Sequence, residues 1–471
     1  ELVFRIAFDS PVVRFRYVLK MKPGAACRLT KASGRDNLSY ISLSLRGWPE
    51  CAEVRLSEFD ETIHSYRLRE QEVAQKDFDH CLAVMGPILV AGDGKRSLLL
   101  AYEHGSQIPD AFLEYRLNPG RKVNLQAVKG NYWRDRRVCA DEPYETIWFE
   151  FAVVPGDRTA LANRYRHFVL QRMSASAASR FPYVFYNTWA FQERNRWWHG
   201  KKYLDSMNQE RILAEIEVAR QMGIDVFVLD TGWYEKTGDW RVNLNRFPDG
   251  LKAVRERLER YGMKLGLWFS PIHAALTSRV HAAHRDCLMS WRGKKSAAHE
   301  IWETEPSQAL CLVSRYWQAF ADELIRLAKE VGVSYFKWDA IGQYGCDDHR
   351  HFHGGADVPE RERADCYAFE QVRYMTRIVE KLCAACPDAI VDFDITEGGR
   401  SVGLAFLTVG KYFLINNGPY YPNYDIPYDW RAATTWSNIF VYPGPARGLS
   451  LIHISEPTRL LSISYAVFCL K

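Results

Sequence analysis

Over residues 1–156 apolar and polar positions alternate in short runs, the period of half-buried strands. The runs VVRFRYVLKM from Val12, YISLSLRGW from Tyr40, SLLLAYEH from Ser97 and TIWFEFAVV from Thr146 are separated by turn clusters such as GDGK and NPGR. Many short strands without long helices between them predict an antiparallel β-sandwich. A helical stretch from Arg158 to Met173 and the Ser/Ala-rich SASAASR then form a helical linker over residues 157–180.

From Phe181 the period changes. Apolar strands YVFYNTW (from Tyr183), VFVLD (Val226), KLGLWF (Lys264), YFKWD (Tyr335), AIVDFD (Ala389), YFLIN (Tyr412) and NIFVY (Asn438) can be drawn. Between them lie amphipathic helical patterns such as ERILAEIEVARQMG and LKAVRERLERYG, each closed by Gly. Apolar strands alternating with helices mean a parallel sheet. Six or seven repeats favour a (β/α)8 barrel of the TIM type over a nucleotide-binding sheet, and no G-x-G-x-x-G follows the first strand. The barrel is placed at residues 181–447 and expected to be incomplete, since no eighth strand stands out before Gly448. Residues 448–471 change character, resemble translated sequencing-adapter read-through, and are read as a non-native tail. An open barrel would leave bare strand edges, so low solubility is expected.

Composition narrows the picture. A chain of 471 residues is too long for one compact domain, and 47% hydrophobic with 25% charged residues excludes a disordered or fibrous chain. No apolar run approaches the roughly 20 residues that span a bilayer. The net charge of +5 is spread along the chain and is no nucleic-acid footprint. Fifteen Trp and 25 Tyr exceed what a core needs, and flat aromatic faces suit sugar rings. Eleven scattered cysteines show no disulfide framework and lean towards a reducing, cytoplasmic compartment. The chain opens at Glu1 without a leader, so the sequence is silent on a signal peptide. Cys383 and Cys386 form a lone C-x-x-C, a poor zinc signal.

In a barrel the site lies at the C-terminal ends of the strands. Those ends carry Asn187 and Trp189, Asp230 and Trp233, Trp268, Lys337 and Asp339, Asp392 and Asp394, and Asn416 and Asn417. Polar and aromatic residues on six strand ends are what a polyol pocket needs.

At these ends the sequence resembles glycoside hydrolase family 36 and its clan of α-galactosidases, from about Tyr183 to Asp339. VFVLDTGWYEKTGDWRVNLNRFPDGLKAV is similar to that family's strand-two motif, KLGLWFSP to its strand-three motif, and SYFKWDA to its nucleophile strand. The resemblance implies a retaining, exo-acting glycosidase, α-galactosidase-like and needing no cofactor or metal. A retaining enzyme needs a carboxylate nucleophile and a proton donor about 5–5.5 Å apart. Asp339 is the expected nucleophile. Lys337 points to the same side of its strand and would keep Asp339 ionised or bind a hydroxyl. Asp230 would accept from sugar hydroxyls, with Trp189, Trp233, Trp240 and Trp268 as candidate walls; packing is the alternative for each Trp.

The sequence departs from the family pattern in places. Strand two of the family carries two adjacent Asp, and here the second is Thr231. The strand-five loop reads DFDITEGGRSVG, keeping Gly398, Gly399 and Arg400 of the family loop. Asn416 stands where the family places its acid/base Asp, with Asn417 beside it, and an amide cannot serve as a general acid. Three explanations stay open: the acid/base has moved to Asp394 or Glu397, or further along to Asp425; the register is off by a few residues; or the protein binds sugar without turning it over. Asp392 and Asp394 should face one way, and two nearby carboxylates would raise one pKa, as an acid requires. CDDHRHFH, from Cys346 to His353, could ligate a metal but is read as a solvated loop lining the pocket. The expected partner is an oligosaccharide or glycoside, with no nucleic acid and no membrane; self-association stays open. The alternatives are a transglycosylase of the same clan and a non-catalytic carbohydrate-binding protein.

Overall fold

The computed structural model describes residues 1–60, 65–105, 110–181, 183–339, 341–394 and 398–413. The N-terminal part is a sandwich of an eight-stranded and a four-stranded antiparallel sheet. Strand alternation sets its two faces. In Pro87–Gly92, Leu89 and Ala91 point with Leu98 and Leu100 into the core shared by the two sheets. Ile88 and Val90 point with Leu99 and Ala101 the other way, onto Leu161, Tyr165 and Phe168 of the helix Arg158–Phe168. The large sheet is therefore covered on both faces, which is why its central strands read as continuous apolar runs.

The second part is a parallel sheet whose strands follow one another in chain order: β1 (Phe185–Asn187), β2 (Val226–Leu229), β3 (Lys264–Phe269), β4 (Tyr335–Trp338), β5 (Ile390–Asp394) and β6 (Lys411–Phe413). Sequential order without a switch point is barrel connectivity, not that of a doubly wound sheet. The sandwich followed by a TIM-type barrel expected from the sequence is thus the architecture found. The further strand expected at NIFVY falls outside the described residues, as do Asn416, Asn417 and Asp425.

Helices α1 (Trp189–His199), α2 (Gln209–Gln221), α3 (Lys252–Arg260), α4 (Tyr316–Arg326) and α5 (Glu360–Ala385) accompany these strands. Sequence dictates their ends: Asn208 caps α2 by accepting from the Arg211 amide at 3.0 Å, and Gly332, at φ 81°, stops the chain after α4. In α2, Ile212, Glu215, Ile216 and Ala219 form the buried stripe. No helix among the described residues is long and apolar enough to cross a membrane.

Helix α5 joins the two parts. Ala368 and Phe369 enter the sandwich core, while Val372, Met375, Ile378, Val379 and Leu382 enter the barrel core. His104, at the end of a sandwich strand, is wholly buried, stacks on Phe369 at 4.2 Å, and lies 3.0 Å through Nε2 from the Phe369 carbonyl. Burial, assisted by nearby Arg373, pushes its pKa down to about 3. The unfolded chain then binds a proton that the fold refuses between about pH 6.5 and pH 3. Stability is full above pH 6.5 and falls as pH drops below it, by about 1.4 kcal/mol per unit for this residue. We expect the unfolding midpoint to fall between pH 6.5 and 5, and the slope to be shallower in His104→Gln. Equal slopes in the two chains would count against this account.

Candidate active site

The barrel strands sort their side chains by parity. Phe185, Val226, Val228, Tyr335 and Ile390 pack together inside the barrel. Phe227, Leu229, Leu265, Leu267, Phe336 and Val391 join the core beneath the helices. Continuing the inner row upward brings Asp230 on β2, Trp268 on β3, Lys337 and Asp339 on β4, and Asp392 on β5 into the interior.

These residues form a column. At the lowest level the Tyr335 hydroxyl donates to Asp392 Oδ2 at 2.5 Å. Burial and Asp392 together raise the Tyr335 pKa well above its usual value. Lys411 on β6, opposite Asp392, has its pKa lowered to about 8 by burial, against the pull of Asp392. One level up, Lys337 Nζ meets Asp230 Oδ2 at 3.0 Å, the side chains being 5% and 2% exposed. Asp230 Oδ1 also accepts from the Thr231 amide at 2.8 Å. At the mouth, Asp339 accepts from Trp268 Nε1 at 3.0 Å and from an Arg400 nitrogen at 2.8 Å. Both partners only donate, so the arrangement suits the carboxylate form.

Lys337 is bonded to Asp230 in this structure, a partner that the sequence reading did not name. Asp392 is 1% exposed and bonded to Tyr335, below the mouth rather than in it. Asp394 closes β5. Phe393 is opposite Trp338, so Asp394 comes level with Asp339 on the neighbouring strand. Nothing is described of the Asp394 side chain, and Glu397 lies outside the described residues.

The tryptophans divide. The chain turns into α1 directly after β1, so Trp189 begins a helix rather than ending a strand; it stacks on Tyr203 at 5.0 Å and packs against Trp302 at 4.6 Å. Trp233 and Trp240 have no exposed surface and pack on each other and on Tyr234 and Phe269. They offer no open face to a sugar, which corrects their reading as walls. Trp268 is equally buried, but its indole N–H holds Asp339. The Thr231 hydroxyl pairs with the Tyr234 hydroxyl at 3.0 Å.

Two features escaped the sequence reading. His273, three residues beyond Ser270, bonds through Nδ1 to the Ser270 hydroxyl at 2.6 Å. Burial drives its pKa down to about 3, reinforced by His299 and opposed by the charge of Asp339, so it stands near the mouth as a neutral ring. Its only signal was the extension of KLGLWFSP to KLGLWFSPIH. Secondly, the loop that carries Arg400 rests on the sandwich. A Cβ on Gly403 would meet the His104 carbonyl oxygen at 1.8 Å, so only glycine permits this approach.

Among the described residues, one group of side chains could hold a metal: Cys311, Cys346, His351 and His353, all buried. The sequence reading of Cys346–His353 as a solvated loop is corrected here, since Asp347 and Asp348 are also only 3% and 5% exposed.

A sandwich followed by a parallel barrel with charged residues gathered at the strand ends places the chain among barrel proteins whose sites lie at that end of the sheet. The chain belongs to the melibiase family, that of the glycoside hydrolase family 36 α-galactosidases; the family model matches residues 159–408. It is 26% identical over 218 residues to α-galactosidase Mel36A of Lactobacillus acidophilus, covering 44% of this chain and 28% of that one. It is 26% identical over 263 residues to α-galactosidase 1 of Pediococcus pentosaceus, covering 52% and 32%. The chain thus spans about a third of the length of these curated relatives. Its fold matches the crystal structure of α-galactosidase AgaB from Geobacillus stearothermophilus with a TM-score of 0.63 at 14% identity, over 94% of this chain and 57% of that one. A variant of AgaA from the same organism, crystallised with raffinose, matches with a TM-score of 0.61 at 14% identity, over 94% and 57%.

Proposed function

We propose that this chain is the nucleophile-bearing part of a retaining exo-glycosidase acting on α-galactoside-like substrates. The observation that carries the reading is the Asp339 carboxylate at the barrel mouth, held by Trp268 and Arg400 above the Lys337–Asp230 pair. Asp339 attacks the anomeric carbon, the leaving group departs with a proton from the acid, and a galactosyl-Asp339 ester forms. Water, deprotonated by the same residue now acting as base, then cleaves the ester with net retention. Arg400 and Trp268 fix the carboxylate for attack. Asp230 and Lys337, paired with each other beneath the mouth, would serve as acceptor and donor for sugar hydroxyls only if substrate entry opens that pair. The family match and the raffinose complex of a structural relative support this substrate class.

The acid/base is assigned to Asp394 or Glu397, which precede Arg400 in the sequence DFDITEGGR. Asp394 shares the level of Asp339 on the adjacent strand, and neighbouring strands are about 4.8 Å apart. Asp394→Asn and Glu397→Gln separate the two. With an unactivated oligosaccharide, loss of the acid should cost about 10²–10⁴-fold in kcat/KM. With an aryl α-galactoside whose leaving group departs unprotonated, the cost on the first step should nearly vanish. The residue whose variant shows that dependence is the acid/base. A uniform loss on both substrates in both variants would remove the assignment, and sugar binding with no turnover in the parent chain would favour a binding protein.

A further inference from the structure

We propose that Cys311, Cys346, His351 and His353 bind one Zn²⁺ ion in a closed structural site that ties the loop after β4 to the segment before α4. The four ligating atoms lie within 4.8 Å of one another, and Cys346 Sγ is 3.2 Å from His351 Nδ1. Zinc bond lengths of about 2.0–2.3 Å in a tetrahedron place ligand atoms roughly 3.3–3.8 Å apart, so a modest adjustment closes the shell. Cys311, Cys346 and His353 have no exposed surface, and His351 is 6% exposed.

Each histidine points to the same conclusion. His351 Nε2 lies 3.0 Å from the Asp286 carbonyl, which can only accept. The Nε2 proton is therefore fixed there, and Nδ1 presents its lone pair to the cluster. Neither ring nitrogen of His353 has a hydrogen-bond partner among the described residues, although both are buried. Leaving such an atom unsatisfied costs stability; a bond to a metal supplies the missing partner. Two thiolates and two imidazoles are the soft-to-borderline donor set that selects zinc over calcium or magnesium. Four protein ligands leave no open position, so the ion would be structural.

The backbone brings the ligands together without the ion. The Phe352 amide donates to the Val313 carbonyl at 2.9 Å, the Asp347 amide to Ser290 at 2.9 Å, and the Cys311 amide to Cys287 at 2.8 Å. Through Cys346 the site anchors the chain that leaves β4 after Asp339, and it is independent of the glycosidase reading.

The test uses the full chain, purified without chelator. Elemental analysis and native mass spectrometry should find about one zinc per chain that survives dialysis. Replacement by Co²⁺ should give the visible absorption of a tetrahedral ion and a thiolate-to-cobalt charge-transfer band. Cys346→Ser and His353→Asn should lose the metal, while the double variant Cys383→Ser, Cys386→Ser keeps it. The cobalt spectrum needs no variant, so misfolding of a variant leaves the test intact. A folded parent chain that holds neither zinc nor cobalt would overturn the proposal. So would a peptide map joining Cys311 to Cys346 in a disulfide.

Discussion

Asp339→Ala is expected to lower kcat for an aryl α-galactoside by on the order of 10⁵-fold, the scale of removing a nucleophile from residues that act as a unit. The expectation rests on geometry. Asp339 is the partly exposed carboxylate at the end of β4, with both its oxygens accepting from fixed donors. A good leaving group keeps this substrate insensitive to the acid, so the loss reports attack alone. Azide should restore turnover in the variant by entering the space left by the carboxylate. It attacks the anomeric carbon from the face opposite the leaving group, and the product is the β-galactosyl azide. Removing Asp339 also takes one partner from Arg400, which is 8% exposed. Asp339→Asn keeps the volume and one accepting oxygen but turns the other into an NH2 donor facing Trp268 or Arg400, so it should be as inactive while unfolding closer to the parent than Asp339→Ala does. Activity retained in both variants would remove Asp339 from the mechanism.

Lys337→Met is expected to cost about 3–5 kcal/mol of stability, because it strips the cation from a carboxylate that cannot reach water. Asp230 is 2% exposed at its side chain, and the Thr231 amide satisfies its other oxygen only. The methionine fills the volume of the lysine stem, so packing is nearly conserved and the charge is what changes. The double variant Asp230→Asn, Lys337→Met removes both charges and should recover most of the loss, giving a strongly non-additive cycle. Denaturant unfolding of the four chains measures it. A Lys337→Met chain as stable as the parent would show that the pair is not closed in solution. The cycle also bears on binding. If Asp230 accepts from sugar hydroxyls, Asp230→Asn should weaken galactose binding even where stability is recovered.

Long apolar runs made the fold legible. VFVLD, KLGLWF and YFKWD are continuous because parallel strands are buried on both faces, and β2, β3 and β4 lie within them. Strand β1 was harder, because only Phe185–Asn187 pairs before α1 begins. NTWAFQERNRWWH has no signal to separate a strand end from a helix start, and Trp189 was misplaced for that reason. Residues at strand ends could be named from parity alone. Their partners could not: Lys337 and Asp230 are 107 positions apart, and which inward-facing charge meets which depends on strand stagger. The run Cys346–His353 looked solvated because it holds few apolar residues. Its burial comes from elsewhere in the chain, from Cys311 and from backbone partners at Asp286 and Ser290.

The central claim is a covalent glycosyl intermediate on Asp339, and mass-spectrometric mapping of a trapped enzyme tests it most directly. The chain is incubated with a fluorinated α-galactosyl fluoride, which forms the intermediate faster than water can release it, then digested and sequenced. The account predicts one fluorogalactosyl adduct, on the Asp339 carboxylate, whose formation is slowed by free galactose and absent in Asp339→Asn. An adduct on another carboxylate, or turnover of aryl α-galactosides with no adduct at all, would contradict it.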